Sequence, residues 1–265
     1  REELLADYND EVAYLRKTGR LEAFPYPQRR QLKSVRAEWD VRKGMPYVWH
    51  ADKRLYFPSS WSTQQAAERY RYYVEVENLV GGGYMVPAPH QYQTEEFRVK
   101  KGDVVVDVGA SEGLFALDVA ERASKVYLIE ADETWIAPLE ATFWPYRDKT
   151  VIINRFVSGA DTERSVRLQS ILGKVESPGF FLKMDIEGHE KAVLQASREL
   201  LCQNRDIRIA CCTYHRHDDA EGIRSILNEM GYETHYSDGV ILFLLDMLNP
   251  PYFRKALIRA ARKQI

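Results

Sequence analysis

From Asp103 onward, the chain alternates between short apolar runs and longer amphipathic segments. The apolar runs have the length of buried strands, and they lie at 103–109, 125–130, 150–157, 180–186 and 207–214. The segments between them carry apolar residues at helical spacing, which predicts helices at 113–122, 132–143, 188–201 and 218–230. Continuous apolar strands that alternate with helices predict an α/β fold, with a parallel sheet covered on both faces and right-handed crossovers.

The C-terminal part breaks this alternation. In YETHYSDGVILFLL (232–245), Asp238-Gly239 separates two strand-like runs with no room for a crossover helix. We therefore expect these two runs to form an antiparallel hairpin. The last segment, PPYFRKALIRAARKQI (250–265), has apolar residues on one side and basic residues on the other, so we expect a final helix packed on the core. Contact of its basic face with a membrane surface or a partner is the alternative.

The first hundred residues have a different pattern. Leu4, Tyr8, Val12 and Leu15 form one helical stripe, and YVWHADKRLYF (47–57) predicts two short strands. Ser62 and Gln65 form a capping-box pattern at the start of a helix rich in tyrosine that runs to about residue 79. We expect residues 1–96 to form an α+β cap on a core domain of residues 97–265. The tyrosines of this region either line a substrate cleft or pack between cap and core, and they are Tyr70, Tyr72, Tyr73, Tyr84 and Tyr92.

Composition narrows the class of partner and the compartment. The 265 residues carry a formal charge of −2, so there is no global attraction to nucleic acid or to an anionic membrane. The three cysteines include two adjacent ones within an apolar run, which argues against a disulfide framework. The longest apolar stretch, 240–245, is far too short to span a bilayer. We expect a cytoplasmic protein with no transmembrane segment and no nucleic-acid partner.

A glycine turn follows the first predicted strand in VVVDVGASEG (104–113). The spacing does not match a phosphate loop, GxxxxGK[ST], or a dinucleotide loop, GxGxxG. What remains is D-x-G-x-x-x-G, which resembles the S-adenosylmethionine loop with serine at the middle glycine position. That cofactor carries a positive ammonium and sulfonium, so acidic side chains in the turn are favourable. The candidate cofactor contacts are Asp107, Gly109, Ala110, Ser111, Glu112 and Gly113.

A second carboxylate supports this interpretation. Glu130 ends the run KVYLIE, 23 residues after Asp107 (130 minus 107). At the end of the neighbouring strand, a carboxylate can accept hydrogen bonds from both hydroxyls of a ribose. Asp132 and Trp135 then border the adenosine, and Ser158 follows the third strand, where such folds meet the adenine.

A third motif, FFLKMDIEGHE (180–190), places Asp185 and Glu187 at the end of the fourth strand. With this motif, the chain from about residue 97 to 258 resembles the FkbM family of methyltransferases. The matching segments are DVGASEG (107–113), VYLIEAD (126–132), FLKMDIEGHE (181–190), CTYHR (212–216) and PPYFRKALIRA (250–260).

This resemblance implies both fold and function. It implies a Rossmann-like class I methyltransferase, whose seven-stranded sheet has the order 3-2-1-4-5-7-6 and an antiparallel last strand. It also implies an S-adenosylmethionine-dependent O-methyltransferase that acts on a hydroxyl of a sugar, glycan or polyketide-type product. By the resemblance, the loop residues and Glu130 contact the cofactor, and Asp185 lies at the reaction centre as well as beside the cofactor.

Methyl transfer to an alcohol also requires a proton acceptor. The candidates at the ends of the fourth and fifth strands are Asp185, Glu187, His189 and His215. We favour His215, because a strand-end histidine can have a pKa near the working pH. Alternatively, Asp185, Glu187 and His215 hold a divalent cation that binds the acceptor hydroxyls.

Two further functions remain open from the sequence. The chain can be a catalytically silent protein that uses a methyltransferase-like fold for binding or as a scaffold. A nucleotide-sugar dehydrogenase is a weaker alternative, because glycine is missing at two of the three dinucleotide-loop positions.

Overall fold

The computed structural model describes residues 3–27, 32, 34–81, 88–203, 206–245 and 249–262. Tyr84 and the last three residues of the basic segment lie outside these ranges. Within them, no helix combines the length and the apolar character needed to cross a bilayer.

The N-terminal region contains helices and a small antiparallel sheet. A 3-10 turn, Glu3–Tyr8, leads into α1 (Asn9–Thr18), which is followed by strands β1 (Ala37–Asp40), β2 (Met45–His50) and β3 (Lys53–Tyr56). The β2–β3 hairpin confirms the strands predicted at 47–57, whereas β1 was not predicted. Next comes α2 (Thr63–Arg71), which continues as a π-helical turn, Tyr72–Val76. Ser62 and Gln65 cap α2 reciprocally, as the sequence predicts.

A seven-stranded sheet forms the centre of the molecule. Its strands are β4 (Val104–Val108), β5 (Lys125–Ile129), β6 (Thr150–Ile153), β9 (Phe180–Met184), β10 (Ile207–Cys212), β11 (Glu233–Tyr236) and β14 (Leu257–Ala261). The order across the sheet is β6-β5-β4-β9-β10-β14-β11, which is 3-2-1-4-5-7-6 when the strands are numbered along the chain. Strands β4, β5, β6, β9 and β10 are parallel, and β14 is antiparallel to both of its neighbours. The predicted fold class is confirmed.

Helices cover both faces of this sheet. They are α3 (Leu114–Val119), α4 (Ile136–Phe143), α5 (Leu168–Leu172), α6 (Glu190–Ala196), α7 (Arg198–Leu201) and α8 (Asp219–Glu229). Two short strand pairs lie outside the sheet: β7 (Phe156–Val157) with β8 (Ser165–Val166), and β12 (Ile241–Leu242) with β13 (Phe253–Arg254). The N-terminal region packs directly on one face, since Leu55 and Phe57 share a core with Val105 and Leu114. The boundary at residue 96 stays a prediction.

The two predictions for the C-terminal part are wrong. Residues 232–245 do not form a hairpin, because β11 pairs with β14 and β12 pairs with β13. The segment predicted as a final helix instead supplies β13 and the strand β14, which lies between β10 and the edge strand β11. In β14, Leu257 packs into the core on one face of the sheet, while Ile258 packs into the core on the other. Because a hydrophobic core covers each face of the sheet at β14, the apolar residues of this strand need no strict alternation.

Candidate functional site

A cavity of about 1220 Å³ opens at the carboxyl ends of β4, β5 and β9. In an open α/β sheet this edge is the usual place for a ligand, because the connections diverge there to the two faces. The loops that follow these three strands form one side of the cavity. Side chains of the N-terminal region form another side, and they include Arg69, Tyr72, Tyr73, Glu77, His90 and Tyr92. Of the predicted cleft tyrosines, Tyr72, Tyr73 and Tyr92 therefore line the cavity, whereas Tyr70 hydrogen-bonds His50.

The loop after β4 requires its glycines for two reasons. Gly109 has a φ of 71°, and a Cβ built there would lie 1.9 Å from the backbone oxygen of Asp185. At Gly113, with φ 78°, a Cβ would meet the side chains of Leu139 and Phe143 at 2.8 and 2.9 Å. Ser111 also has a positive φ, 47°, which is strained for a side chain other than glycine. Gly109, Ala110, Ser111 and Glu112 line the cavity, while Gly113 packs behind the loop.

Glu130 ties this loop to the loop after β5. Its two carboxylate oxygens accept hydrogen bonds from the backbone N–H groups of Ser111 and Asp132, both at 2.8 Å. The carboxylate is therefore held in one orientation at the cavity wall, and it still has free lone pairs. Asp132 and Ser158 line the same part of the cavity, next to Trp135.

A buried ion pair lies beneath the loop. Lys183 Nζ is 3.0 Å from Asp107 Oδ1, and both side chains are almost fully buried. Burial raises the pKa of Asp107 to about 6, although the lysine opposes the shift. Burial lowers the pKa of Lys183, but the carboxylates of Asp107 and Asp185 raise it by more than burial lowers it. The lysine is therefore charged. Lys183 also donates a hydrogen bond to the backbone oxygen of Gly109, which links the ion pair to the turn.

Glu112 is a second buried acid in the loop. Its side chain faces the cavity, and burial raises its pKa from an ordinary 4.5 to about 7. The nearby charge of Glu77 acts in the same direction. An ionised Glu112 is therefore unfavourable in the protein alone and is favoured by a cation placed in the cavity.

We expect Glu112→Gln to raise the free energy of unfolding at pH 8 by about 2–4 kcal/mol and to change it little at pH 4. Since the folded-state pKa exceeds the unfolded one, the folded protein binds more protons between about pH 4.5 and 7. The contribution of the wild-type carboxyl to stability therefore falls as the pH rises through this window. Urea unfolding at both pH values measures the effect, with the exposed Glu133→Gln as the control. Equal gains at the two pH values would contradict the assignment.

Asp185 is the most heavily contacted acid of the site. The hydroxyls of Tyr92 and Tyr214 donate to its two oxygens at 3.2 and 3.3 Å. Two imidazoles also face it, His215 Nε2 at 3.3 Å and His90 Nε2 at 3.6 Å. Burial raises the pKa of Asp185, but His90, Lys183 and His215 outweigh burial and hold the pKa well below its usual range. Asp185 is thus a fixed carboxylate at the cavity wall.

His90 was not predicted as a site residue. It is buried, lines the cavity, and lies between Asp185 and Glu77, whose Oε2 is 3.4 Å from its Nδ1. Burial lowers the pKa of His90, but its surroundings, including these two carboxylates, raise it well above 6.5. Its segment PAPHQYQ has no recognised motif, so the sequence offers no signal for this contact.

His215 lies behind Asp185, outside the set of described residues that line the cavity. Its Nδ1 is 3.0 Å from Glu190 Oε1, and its Nε2 faces Asp185. Burial lowers the pKa of His215, but Glu190 and Asp185 raise it by more than burial lowers it. Both ring nitrogens of His215 face carboxylates, a placement that favours a role in orienting Asp185, and the role of His215 as proton acceptor stays a prediction. Glu187 and His189, by contrast, are exposed residues that line the cavity.

The residues predicted to bind a divalent cation, Asp185, Glu187 and His215, belong to a larger charged network that also contains Glu190. Asp185, Glu190 and His215 each place a donor atom within 4.8 Å of the others. However, Glu190 also accepts a hydrogen bond from the backbone N–H of Ile186 at 2.8 Å. Glu187, which belongs to the predicted set, has a largely exposed carboxylate 3.6 Å from His215. In this network the imidazole of His215 lies between the carboxylates of Asp185 and Glu190.

The charges around the cavity are unequal. Seven carboxylate residues line it, against three lysine and arginine residues, Arg69, Arg155 and Lys183, and two histidines, His90 and His189. The acidic residues are Glu77, Asp107, Glu112, Glu130, Asp132, Asp185 and Glu187. In a chain with a net charge of only −2, this concentration favours a ligand that carries positive charge.

One protein-family model matches most of the chain. Residues 64–234 match the family of the methyltransferase FkbM domain. A search of curated proteins finds no match.

Solved structures with a similar fold share little sequence. A precorrin-6y C5,15-methyltransferase from Geobacter metallireducens is 11% identical with a TM-score of 0.44, and the match covers 64% of this chain and 83% of that chain. An rRNA methylase from Streptococcus thermophilus is 14% identical with a TM-score of 0.42, covering 63% and 90%. A methyltransferase-like protein from Streptococcus mutans, in complex with SAH, is 12% identical with a TM-score of 0.41, covering 62% and 90%.

Proposed function

Because the chain belongs to the FkbM methyltransferase family, we propose that it transfers a methyl group from S-adenosylmethionine to a hydroxyl of a sugar, glycan or polyketide-type acceptor. The observation that carries the cofactor assignment is the position of Glu130, which is fixed between the loops after β4 and β5 at the wall of an acidic cavity.

The residues of the cavity fit the chemistry of this cofactor. When bound, S-adenosylmethionine supplies an activated methyl group on a positively charged sulfur. Glu130 has lone pairs free to accept the ribose hydroxyls, and the bare backbone at Gly109 permits close approach. Asp107 and Glu112 are acids whose ionised forms a cationic ligand favours. Asp132, Trp135 and Ser158 would border the adenosine.

We assign the proton-accepting role to Asp185 rather than to His215. Methylation would turn the acceptor hydroxyl into a strongly acidic protonated ether, whose proton a residue of the site would take up. A carboxylate of low pKa can take that proton, provided that it is already aligned with the hydroxyl. Tyr92, Tyr214 and the two imidazoles hold Asp185 in one orientation, which supplies this alignment.

The acidic lining also bears on the acceptor. Nucleic acids bind mainly through their phosphates to clustered lysine and arginine side chains. Here the carboxylates outnumber the lysine and arginine side chains seven to three. We therefore favour an uncharged, hydroxyl-bearing acceptor over a nucleic acid.

Replacing Glu130 with alanine is expected to weaken the binding of S-adenosylhomocysteine about 5- to 150-fold. The loss of hydrogen bonds to a charged group corresponds to about 1–3 kcal/mol. Equilibrium dialysis of the wild type and the variant measures the effect. Glu133→Ala makes the same charge change three residues away, at an exposed side chain outside the cavity lining, and should bind like the wild type. Equal affinity of all three proteins would reject the ribose contact.

A catalytically silent binding protein is the alternative function. Such a protein would bind the cofactor as an enzyme does, but it would not transfer the methyl group. Tight cofactor binding without transfer of labelled methyl to any of a panel of sugars and polyketides would favour it.

A further inference from the structure

The cavity has a second wall whose chemistry differs from that of the cofactor loops. Five consecutive apolar residues, Ile241 to Leu245, line it, and Phe24 and Phe156 line it as well. No side chain in the run 241–245 carries a hydrogen-bonding group. This wall begins at β12, whose pairing with β13 fixes its position next to the core.

Burial along this wall changes from one end to the other. Ile241 and Leu242 are buried, whereas Leu244 is 38% and Leu245 82% exposed. Phe156, which lines the same cavity from the loop region after β6, is 63% exposed. The apolar residues that line the cavity (apolar strip) thus range from buried to largely exposed. Exposed apolar surface at a cleft is characteristic of a ligand-binding groove.

The two ends of the cavity therefore differ in polarity. Asp185 and the other carboxylates can accept hydrogen bonds from hydroxyls, while the side chains of the run 241–245 can contribute only apolar contact. A free sugar would satisfy the polar end and leave the apolar strip in water. A ligand with a hydroxylated head and an aliphatic chain would satisfy both.

We propose that the acceptor is an amphiphile, whose hydroxylated head reaches Asp185 and whose aliphatic chain lies along Ile241–Leu245 and Phe156. We call the surface formed by these apolar residues the apolar wall. This inference rests on the proposed function for the identity of the reacting end. The binding of the chain along the apolar wall can be tested on its own. It narrows the acceptor from sugars and polyketides in general to hydroxyl compounds that carry an alkyl or isoprenoid-like chain.

A series of alkyl glucosides provides the test. Glucose and hexyl, octyl and decyl β-D-glucoside are titrated below their micellar concentrations into the protein, with and without saturating S-adenosylhomocysteine. Burial of each further methylene should tighten binding up to about fourfold, until the wall is covered. Affinity that does not depend on chain length would overturn the proposal.

Two variants locate the effect. Leu245→Asp should weaken the binding of octyl glucoside at least about tenfold, because it places a charge on the apolar wall. Val41→Asp changes an equally exposed residue, at 85%, that does not line the cavity, and it should leave binding unchanged. Equal weakening in both variants would indicate nonspecific detergent binding and reject the proposal.

The same titrations distinguish a failure of the proposed function from a failure of the amphiphile proposal. If S-adenosylhomocysteine fails to bind the wild type while affinity still rises with chain length, the proposed function is wrong and the apolar wall stands. If S-adenosylhomocysteine binds the wild type and Leu245→Asp alike while chain length has no effect, the cofactor site stands and the amphiphile proposal falls.

Discussion

Gly109→Ala is expected to lower the free energy of unfolding by about 3 kcal/mol or more and to abolish cofactor binding. A methyl group at this position would lie 1.9 Å from the backbone oxygen of Asp185, and φ is 71°. Because the obstacle is backbone at the end of the neighbouring strand β9, no side-chain rotation relieves the clash. The loop after β4 must then move away from β9, which breaks the hydrogen bond from Lys183 to the backbone oxygen of Gly109 and opens the cofactor side of the cavity.

Gly19→Ala separates the clash from the cost of the left-handed backbone. Gly19 has a φ of 65° at the end of α1, and a Cβ there meets nothing within 4 Å. It should lose only about 1–2 kcal/mol. Urea unfolding of both variants, together with titration of S-adenosylhomocysteine, makes the comparison. Similar losses in the two variants, or intact cofactor binding in Gly109→Ala, would contradict the close approach of the two loops.

Asp185→Asn should lower kcat by about two to four orders of magnitude, because the amide cannot take the acceptor proton. Its effect on the affinity for S-adenosylhomocysteine should be much smaller. The variant also leaves Lys183, His90 and His215 without their shared carboxylate, so it should unfold at a lower temperature. Single-turnover transfer of labelled methyl, measured on protein shown to be folded by cofactor binding, isolates the chemical effect.

The matched control is Glu187→Gln. This residue lines the same cavity two positions away, but its carboxylate is largely exposed and is not enclosed by hydroxyls and imidazoles. We expect it to retain kcat within about tenfold of the wild type. A larger loss in Glu187→Gln than in Asp185→Asn would transfer the proton-accepting role to Glu187.

The parallel part of the sheet could be predicted from the sequence because each strand there is a separate apolar run between helices. The last strand could not. In FRKALIRA, Phe253, Leu257 and Ile258 fit one face of a helix as well as they fit a strand, and a short apolar run does not distinguish the two. The tertiary structure determines the outcome, since β14 pairs with both β10 and β11, and residues 241–245 line the cavity instead of pairing with β11.

The cofactor side of the site could be predicted largely from local sequence motifs. The network of charged residues around Asp185 could not. Lys183 had a readable signal, because a lysine inside the buried strand FFLKM requires a partner, and Asp107 lies on the adjacent strand. His90 had none, since its contact with Asp185 joins positions 95 residues apart (185 minus 90). Because His215 follows a strand end, the sequence predicts that it faces the cavity. In the structure its Nδ1 contacts Glu190, and the ring lies behind Asp185.

The most direct test of the account is calorimetric titration of the protein with S-adenosylmethionine and S-adenosylhomocysteine, with and without magnesium. We expect one molecule of either compound to bind per chain with a Kd of about 1–100 μM, at the same affinity with and without magnesium. Absence of binding by both compounds would contradict the assignment of the acidic cavity to this cofactor, and with it the proposed methyl transfer.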